Sequence, residues 1–220
     1  MKKYSDKKIV VVGGGTGLST MLRGLKKYTD NITAIVTVAD NGGGSGVLRD
    51  EMGILPPGDI RNCILALAET EPLMEKLLNY RFSEGSLSGQ SFGNLFLAAM
   101  NGVCGSYVEA VRNVSDILSV KGTVLPVTLD DININARLYD GSVIKGEKNI
   151  SEGLKLGDKR IERIELVPKN ARILPDAKAA IADAGLIVLG PGSIYTSVIP
   201  NLLGKGVYRS IKKANAKVVY

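Results

Sequence analysis

The fold is decided by residues 9–18, Ile-Val-Val-Val-Gly-Gly-Gly-Thr-Gly-Leu. The β-branched run from Ile9 to Val12 predicts a strand that is buried on both faces of a parallel sheet. The glycines that follow permit backbone conformations and close approaches that a Cβ atom would prevent. Apolar residues then recur at helical spacing, at Leu18, Met21, Leu22 and Leu25. The stretch therefore predicts a strand, a tight turn and a helix whose N-terminus can receive an anion.

The glycine loop matches neither of the two common phosphate-binding fingerprints. In a Gly-x-Gly-x-x-Gly motif counted from Gly13, the last glycine falls on Leu18, and no lysine follows Gly17 as a Walker A loop requires. We interpret the segment as a phosphate-binding loop, because four glycines and a threonine exceed what a plain turn needs. The alternative is a strand-to-helix turn that binds nothing. The candidate ligand residues are Gly14, Gly15, Thr16 and Gly17.

A second glycine-rich segment follows the next predicted strand, which runs from Asn31 to Asp40 and is rich in β-branched residues. With the helix between them, the two strands form a βαβ unit. The segment from Asp40 to Arg49 is predicted to be a loop at the carboxyl end of its strand, where ligands bind in open parallel sheets. A flexible linker is the alternative interpretation. The candidate residues are Asp40, which is placed to accept a ribose hydroxyl or to bind a metal, and Asn41, Gly42 and Gly43.

Polar residues also stand at the starts of later predicted helices. In the segment at 56–62, Pro-Pro-Gly-Asp-Ile-Arg-Asn, Asp59 is a plausible N-cap, and capping alone would explain it. Capping does not explain Arg61 and Asn62, which join Asp59 as candidate ligand residues. The alternative is that both are exposed polar positions. Asn94 lies in the first turn of a strongly apolar helix, where its low helix propensity indicates that an amide is needed.

A third glycine loop, residues 190–197, follows the predicted buried strand at 186–189 and repeats the arrangement of the first. An ordinary turn is the alternative. The candidate residues are Gly192, Ser193, Tyr195 and Thr196. Between 130 and 167 the hydrophobic period changes to two, with Asp140-Gly141 as a hairpin turn, which predicts an antiparallel insertion.

These patterns predict one α/β domain over residues 1–220. Its architecture is expected to be a Rossmann-like three-layer sandwich with a mostly parallel sheet and a small antiparallel β insertion at about 130–167. A last buried strand begins at Lys217, so that the α/β alternation looks truncated at the C-terminus.

Composition narrows the function classes. The 220 residues include no histidine, which argues against His-dependent catalysis and most zinc sites. The net charge is +6, but the basic residues are not interleaved with aromatic ones, since there is no tryptophan and there are only three phenylalanines. A nucleic-acid partner is therefore not expected.

No apolar run is long enough to cross a bilayer or to act as a signal peptide, so the protein is expected to be cytoplasmic. Cys63 and Cys104 are interpreted as buried small hydrophobes.

Five motifs together carry a resemblance to a known family: GGGTGL at 13–18, ADNGGGSGVLR at 39–49, PPGDIRN at 56–62, SFGNLFLAA at 91–99 and GPGSIYTS at 190–197. In order and content they resemble the YvcK-type gluconeogenesis factors of the CofD superfamily, and the resemblance spans nearly the whole chain. It implies a Rossmann-like sheet with a nucleotide-diphosphate ligand at its carboxyl edge. By position, Thr16 and its neighbouring glycines would hold the diphosphate. Asn94 and residues 193–196 would line the same cleft.

The resemblance also marks differences from relatives. Asp40 and Asn41 stand where relatives often have two aspartates, which weakens any metal site at Asn41. Relatives continue beyond Tyr220 and contribute further ligand residues there, so the site is expected to be incomplete in this stretch.

Three functions are compatible with these features. The first is a cytoplasmic regulatory protein that binds the nucleotide sugar UDP-N-acetylglucosamine and acts on an unidentified protein partner, with links to carbon metabolism, cell shape and cell wall synthesis. The second is a magnesium-dependent 2-phospho-L-lactate transferase acting on a deazaflavin. The third is a scaffold that has lost its ligand. No catalytic or metal-ligating residue is assigned, and self-association is left open.

Overall fold

The computed structural model describes residues 6–155 and 160–220. The strands are β1 (Ile9–Gly13), β2 (Ile32–Val36), β3 (Thr123–Pro126), β4 (Asn133–Leu138), β5 (Val143–Lys145), β6 (Ile161–Val167), β7 (Leu186–Leu189) and β8 (Lys217–Val219). The helices are α1 (Gly15–Leu25), α2 (Gly43–Met52), α3 (Gly58–Leu67), α4 (Pro72–Asn79), α5 (Phe92–Cys104), α6 (Tyr107–Ile117), α7 (Glu147–Lys155), α8 (Pro175–Ala182), α9 (Ile199–Leu203) and α10 (Val207–Lys213).

Five parallel strands form the central sheet in the order β3-β2-β1-β7-β8. Every residue of β1 is buried, as its β-branched sequence predicts. The order reverses between β1 and β7, which is the topological switch point of a doubly wound sheet. Because loops at the carboxyl ends of these two strands diverge to opposite faces, a crevice is expected between them. The fold class inferred from the sequence is confirmed.

Helices complete the layers around the sheet. Among them, α1 packs against α3, and α8 packs against α10. Apolar residues from the strands and these helices form one continuous core, in which Leu18, Leu22 and Ile60 are fully buried. No helix of the described chain is both long and apolar enough to span a bilayer.

The predicted insertion forms a separate antiparallel sheet in the order β5-β4-β6. The Asp140-Gly141 turn connects its first two strands as expected, and Gly141 has a φ of +84°. The insertion also contains α7, which the period-two pattern did not predict. This helix is short and mostly polar, with Ile150 as a fully buried apolar side chain, so its sequence carries only a weak apolar repeat.

The prediction that residues 40–49 form a second glycine loop is wrong in part, because α2 begins at Gly43 and includes the glycines at 44 and 46. Both are packed rather than flexible. A Cβ atom on Gly44 would lie 2.6 Å from Gln90 Oε1, and one on Gly46 would overlap the Asn41 carbonyl oxygen. The preceding strand is also shorter than predicted and ends at Val36. The glycines therefore let the start of α2 approach its neighbours closely.

Candidate functional site

The loops that follow β1 and β7 meet at the switch point. A Cβ atom on Gly13 would lie 3.6 Å from the Cα atom of Gly190, and one on Gly17 would lie 3.3 Å from the Pro191 carbonyl. The Asn201 side-chain amide is fully buried and donates to the Gly13 carbonyl at 3.1 Å. The first and third predicted motifs are thus brought together at the carboxyl edge of the sheet, where they form one wall of the candidate site.

The first loop leads directly into α1. Gly14 is buried at the N-cap position and supplies no side-chain cap, and Gly15 begins the helix with a φ of +72°. Thr16 is exposed in the first turn, and its side chain is available at the surface of the crevice. The first N–H groups of a helix have no acceptor within the helix. This end of α1 is therefore suited to an anionic partner.

That partner is Asp59 in the structure. The Gly15 N–H donates to Asp59 Oδ2 at 2.8 Å. Asp59 is the second residue of α3, and the N-cap of that helix is Pro57, so the prediction that Asp59 caps its own helix is wrong. The carboxylate instead caps α1, because the first turns of α1 and α3 face each other.

The electrostatics of Asp59 are unfavourable to a charged carboxylate. Burial raises its pKa to about 6, and repulsion from Asp40 and Glu147 adds to the effect. The Gly15 hydrogen bond and the guanidinium of Arg61 act in the opposite direction but are outweighed. Asp59 thus changes its charge near neutral pH while touching the end of α1.

The second motif places Asp40 beside this carboxylate. Asp40 Oδ1 accepts a hydrogen bond from the Gly42 N–H at 2.8 Å, and Oδ2 lies 3.4 Å from the position of a Cβ atom on Gly58. Gly42 is the N-cap of α2, and Gly43 follows with a φ of +50°. The start of α2 is therefore the second helix end that opens toward the carboxylates of Asp40 and Asp59.

Asn41 is used differently from the prediction that it binds ligand. Its Oδ1 accepts the Lys148 N–H at 3.0 Å, and its amide group packs against Gly146. These contacts join the second motif to the start of α7 in the insertion. The structure accounts for Asn41 as an attachment point, and its role toward a ligand stays a prediction.

Arg49, on α2, connects the backbone of Asp40 to the segment just before β4. Its side chain is only 6% exposed, and it donates to the Ile132 carbonyl at 2.7 Å and to the Asp40 carbonyl at 3.4 Å. It also forms an ion pair with the exposed carboxylate of Asp131. Arg49 therefore fixes the backbone of Asp40 against the insertion.

The third motif lies on the opposite side of α1. A Cβ atom on Gly192 would lie 3.1 Å from the Gly14 carbonyl oxygen. Ser193 is exposed, and its Oγ accepts the Thr196 N–H at 3.3 Å at the start of a π-helical turn at Ile194–Val198. Thr196 is buried and Tyr195 is half-buried. This motif contributes a hydroxyl-bearing edge to the crevice.

Three further predicted site residues lie on α3 and α5. Arg61 donates to the Leu78 carbonyl at 3.2 Å and to Asn62 Oδ1 at 2.7 Å, so these two side chains bind each other and the end of α4. Asn94 is 3% exposed, and its Oδ1 has no hydrogen-bond partner within residues 6–155 and 160–220. The assignment of all three as ligand residues stays a prediction.

Sequence reasoning missed Glu147, the first residue of α7, whose charge acts on Asp59. No spacing pattern links it to the glycine motifs, because the insertion brings it from more than 80 residues along the chain. The described residues contain no group of three or more acidic, histidine or cysteine side chains arranged to hold a metal ion.

Comparisons with known proteins identify relatives of this chain. Residues 9–220 match the protein family described as 2-phospho-L-lactate transferase CofD. The chain is 49% identical over 214 residues to the gluconeogenesis factor of Bacillus subtilis and 48% identical over 221 residues to that of Halalkalibacterium halodurans. The crystal structure of protein BH3568 from Bacillus halodurans superposes with a TM-score of 0.93 at 47% identity, covering 98% of this chain and 68% of that one.

The alignments cover 97% and 100% of this chain but 66% of each of the two gluconeogenesis factors. For a relative from Clostridium acetobutylicum that is 60% identical, the covered share of the relative is 47%. The chain thus spans between about half and two thirds of the length of the curated relatives it matches.

Proposed function

Because the chain belongs to the CofD family and, within it, to the gluconeogenesis factors, we propose that it is a regulatory protein that binds a nucleotide sugar. The observation that carries the proposal is the convergence of three glycine motifs around the starts of α1 and α2. Backbone N–H groups at two helix ends are suited to a diphosphate. The neighbouring carboxylate of Asp40 is suited to a ribose or sugar hydroxyl.

UDP-N-acetylglucosamine is the proposed ligand, and this choice rests on the sequence resemblance. Regulation requires only that the ligand bind two states of the protein with different affinity, so that occupancy changes the affinity for a protein partner. Links to carbon metabolism, cell shape and cell wall synthesis, a cytoplasmic location and self-association belong to the same proposal.

Calorimetric titration of UDP-N-acetylglucosamine into the full chain tests this function. The Thr16→Ala variant should bind more weakly, by roughly five- to tenfold, since one hydrogen bond to a ligand contributes about 1 kcal/mol. Thr20→Ala is the matched control, because it removes the same groups from an exposed position one turn further along α1. Absence of binding to the wild-type chain would refute the proposal. Equal binding by both variants would place the diphosphate elsewhere.

A second candidate is a 2-phospho-L-lactate transferase that uses a nucleoside diphosphate donor, a deazaflavin acceptor and magnesium. It is favoured by the family match and by Asp59, whose pKa of about 6 suits a general base in a chain without histidine. Incubation of the full chain with donor, deazaflavin and magnesium, followed by mass spectrometry, tests it. Lack of a phospholactyl product with donor in excess would remove this candidate.

A further inference from the structure

Asp59 occupies the position that a ligand phosphate would take at the start of α1. Its Oδ2 accepts the Gly15 N–H at 2.8 Å and lies 2.7 Å from the position of a Cβ atom on Gly14. The carboxylate therefore sits directly against the loop rather than at a distance. A phosphate and this carboxylate need the same N–H donor and carry the same sign of charge.

The surroundings of Asp59 do not hold it there as a stable ion pair. Asp40 faces it from the connection between β2 and α2, and Glu147 faces it from α7, and both are acidic. Arg61 on its own helix is the opposing positive charge, but the guanidinium binds Leu78 and Asn62. The Gly15 N–H is therefore the contact that favours the charged carboxylate most directly.

From this geometry we infer that Asp59 is a built-in competitor for the ligand phosphate. The phosphate reaches the start of α1 when the Asp59 carboxyl takes up a proton and releases the Gly15 N–H. The inference rests on the proposed function, because it concerns the same crevice. The proton comes from solvent and binds the Asp59 carboxyl, and no covalent bond to the ligand forms. The complex should then hold more protons than the free protein and ligand above pH 6.

Release of Asp59 from the Gly15 N–H would also affect α2. Asp59 follows Gly58, and a Cβ atom at Gly58 would overlap Ser45 Oγ in the first turn of α2. The backbone of Gly58 therefore packs closely against the first turn of α2. A shift of the start of α3 on release of Asp59 would change this packing, and so give the two states different contacts, as regulation by a ligand requires.

The expected effect follows from the fraction of protein that can bind. If the ligand binds only when Asp59 is protonated, a pKa of about 6 leaves about one molecule in a hundred competent at pH 8. Wild-type affinity for UDP-N-acetylglucosamine should then fall up to about 100-fold between pH 5.5 and pH 8. Asp59→Asn should bind about 100-fold more tightly than wild type at pH 8 and with similar affinity at pH 5.5.

Calorimetry in two buffers of different ionisation enthalpy measures the proton uptake, which should approach one per ligand for wild type at pH 8 and vanish in Asp59→Asn. Asp50→Asn is the control, because it removes one negative charge from an exposed position on α2. Weaker binding by Asp59→Asn, or equal binding by the two proteins at pH 8, would overturn the inference and make Asp59 a direct ligand or a bystander.

A simpler anion separates this inference from the proposed function. Sulfate does not titrate over this pH range, and its binding can be followed through the NMR shift of the Gly15 amide. At pH 8, saturation of that shift should need at least tenfold less sulfate in Asp59→Asn and Asp59→Ala than in wild type. If this holds while UDP-N-acetylglucosamine binds none of the proteins, the proposed function fails and the competitor role stands. If sulfate leaves the Gly15 amide unmoved in all of them, the competitor role fails.

Discussion

Replacement of Asp59 by asparagine should stabilise the ligand-free fold at neutral pH. The pKa of Asp59 is about 6 in the fold against 3.8 for an unperturbed carboxyl, because the half-buried group is desolvated and is repelled by Asp40 and Glu147. Each tenfold change in proton affinity corresponds to about 1.4 kcal/mol. The ionised carboxylate is therefore disfavoured by the fold by about 3 kcal/mol, a cost that the neutral asparagine side chain avoids.

The direction of the Asp59 pKa shift sets the pH range over which the stability difference should change. A group whose folded-state pKa is raised binds protons more tightly in the fold, so wild-type stability falls as pH rises from about 4 to about 6. The advantage of Asp59→Asn should be near zero at pH 4 and reach about 3 kcal/mol above pH 7. Urea unfolding of both proteins from pH 4 to pH 8 measures it, with Asp50→Asn as an exposed control. A difference that stays constant over this range would refute the electrostatic argument.

Three further results are expected. Gly14→Ala should lower the free energy of unfolding by about 1–3 kcal/mol, because its Cβ atom would overlap Thr37, whereas Gly24→Ala, with no atom within 4 Å of the new Cβ, should raise it by about 0.5 kcal/mol in the same urea assay. Arg49→Lys should cost about 2 kcal/mol, since lysine cannot reproduce the two hydrogen bonds to backbone carbonyls; an unchanged midpoint would contradict this. A thiol reagent should leave Cys63 unmodified until the chain unfolds, because burial raises the pKa of that thiol, and rapid native-state labelling would show otherwise.

The parallel sheet could be predicted because its central strands are recognisable from their own apolar sequences. The runs at 9–12 and 186–189 are apolar throughout, as strands covered on both faces must be, and the glycine turns that follow them mark where each strand ends. The period-two segment predicted the insertion for the same reason, since one face of that sheet is buried. These features are local in sequence and need no partner to be recognised.

The packed start of α2 and the position of Asp59 depend on contacts between distant residues, which the spacing of residues in the sequence does not reveal. Glycine composition at 43–46 suggested a loop, yet the same residues form a packed helix start, because a glycine chosen for close approach and one chosen for flexibility look alike in sequence. The Asp59 bond to Gly15 joins residues 44 positions apart on two helices. A capping rule that looks only at neighbours assigned the carboxylate to α3, and the arrangement of the two helices gives it to α1.

The buried amide of Asn201 bonds the Gly13 carbonyl across 188 residues of sequence. A nascent chain therefore acquires β1 and its glycine loop early in synthesis but cannot close the crevice until β7 and the segment after it have emerged. Contacts of such long sequence separation form late, because the intervening chain must first be ordered. Binding at this crevice can thus stabilise the completed fold but cannot assist its first steps, which depend on the elements that precede β7 in the chain.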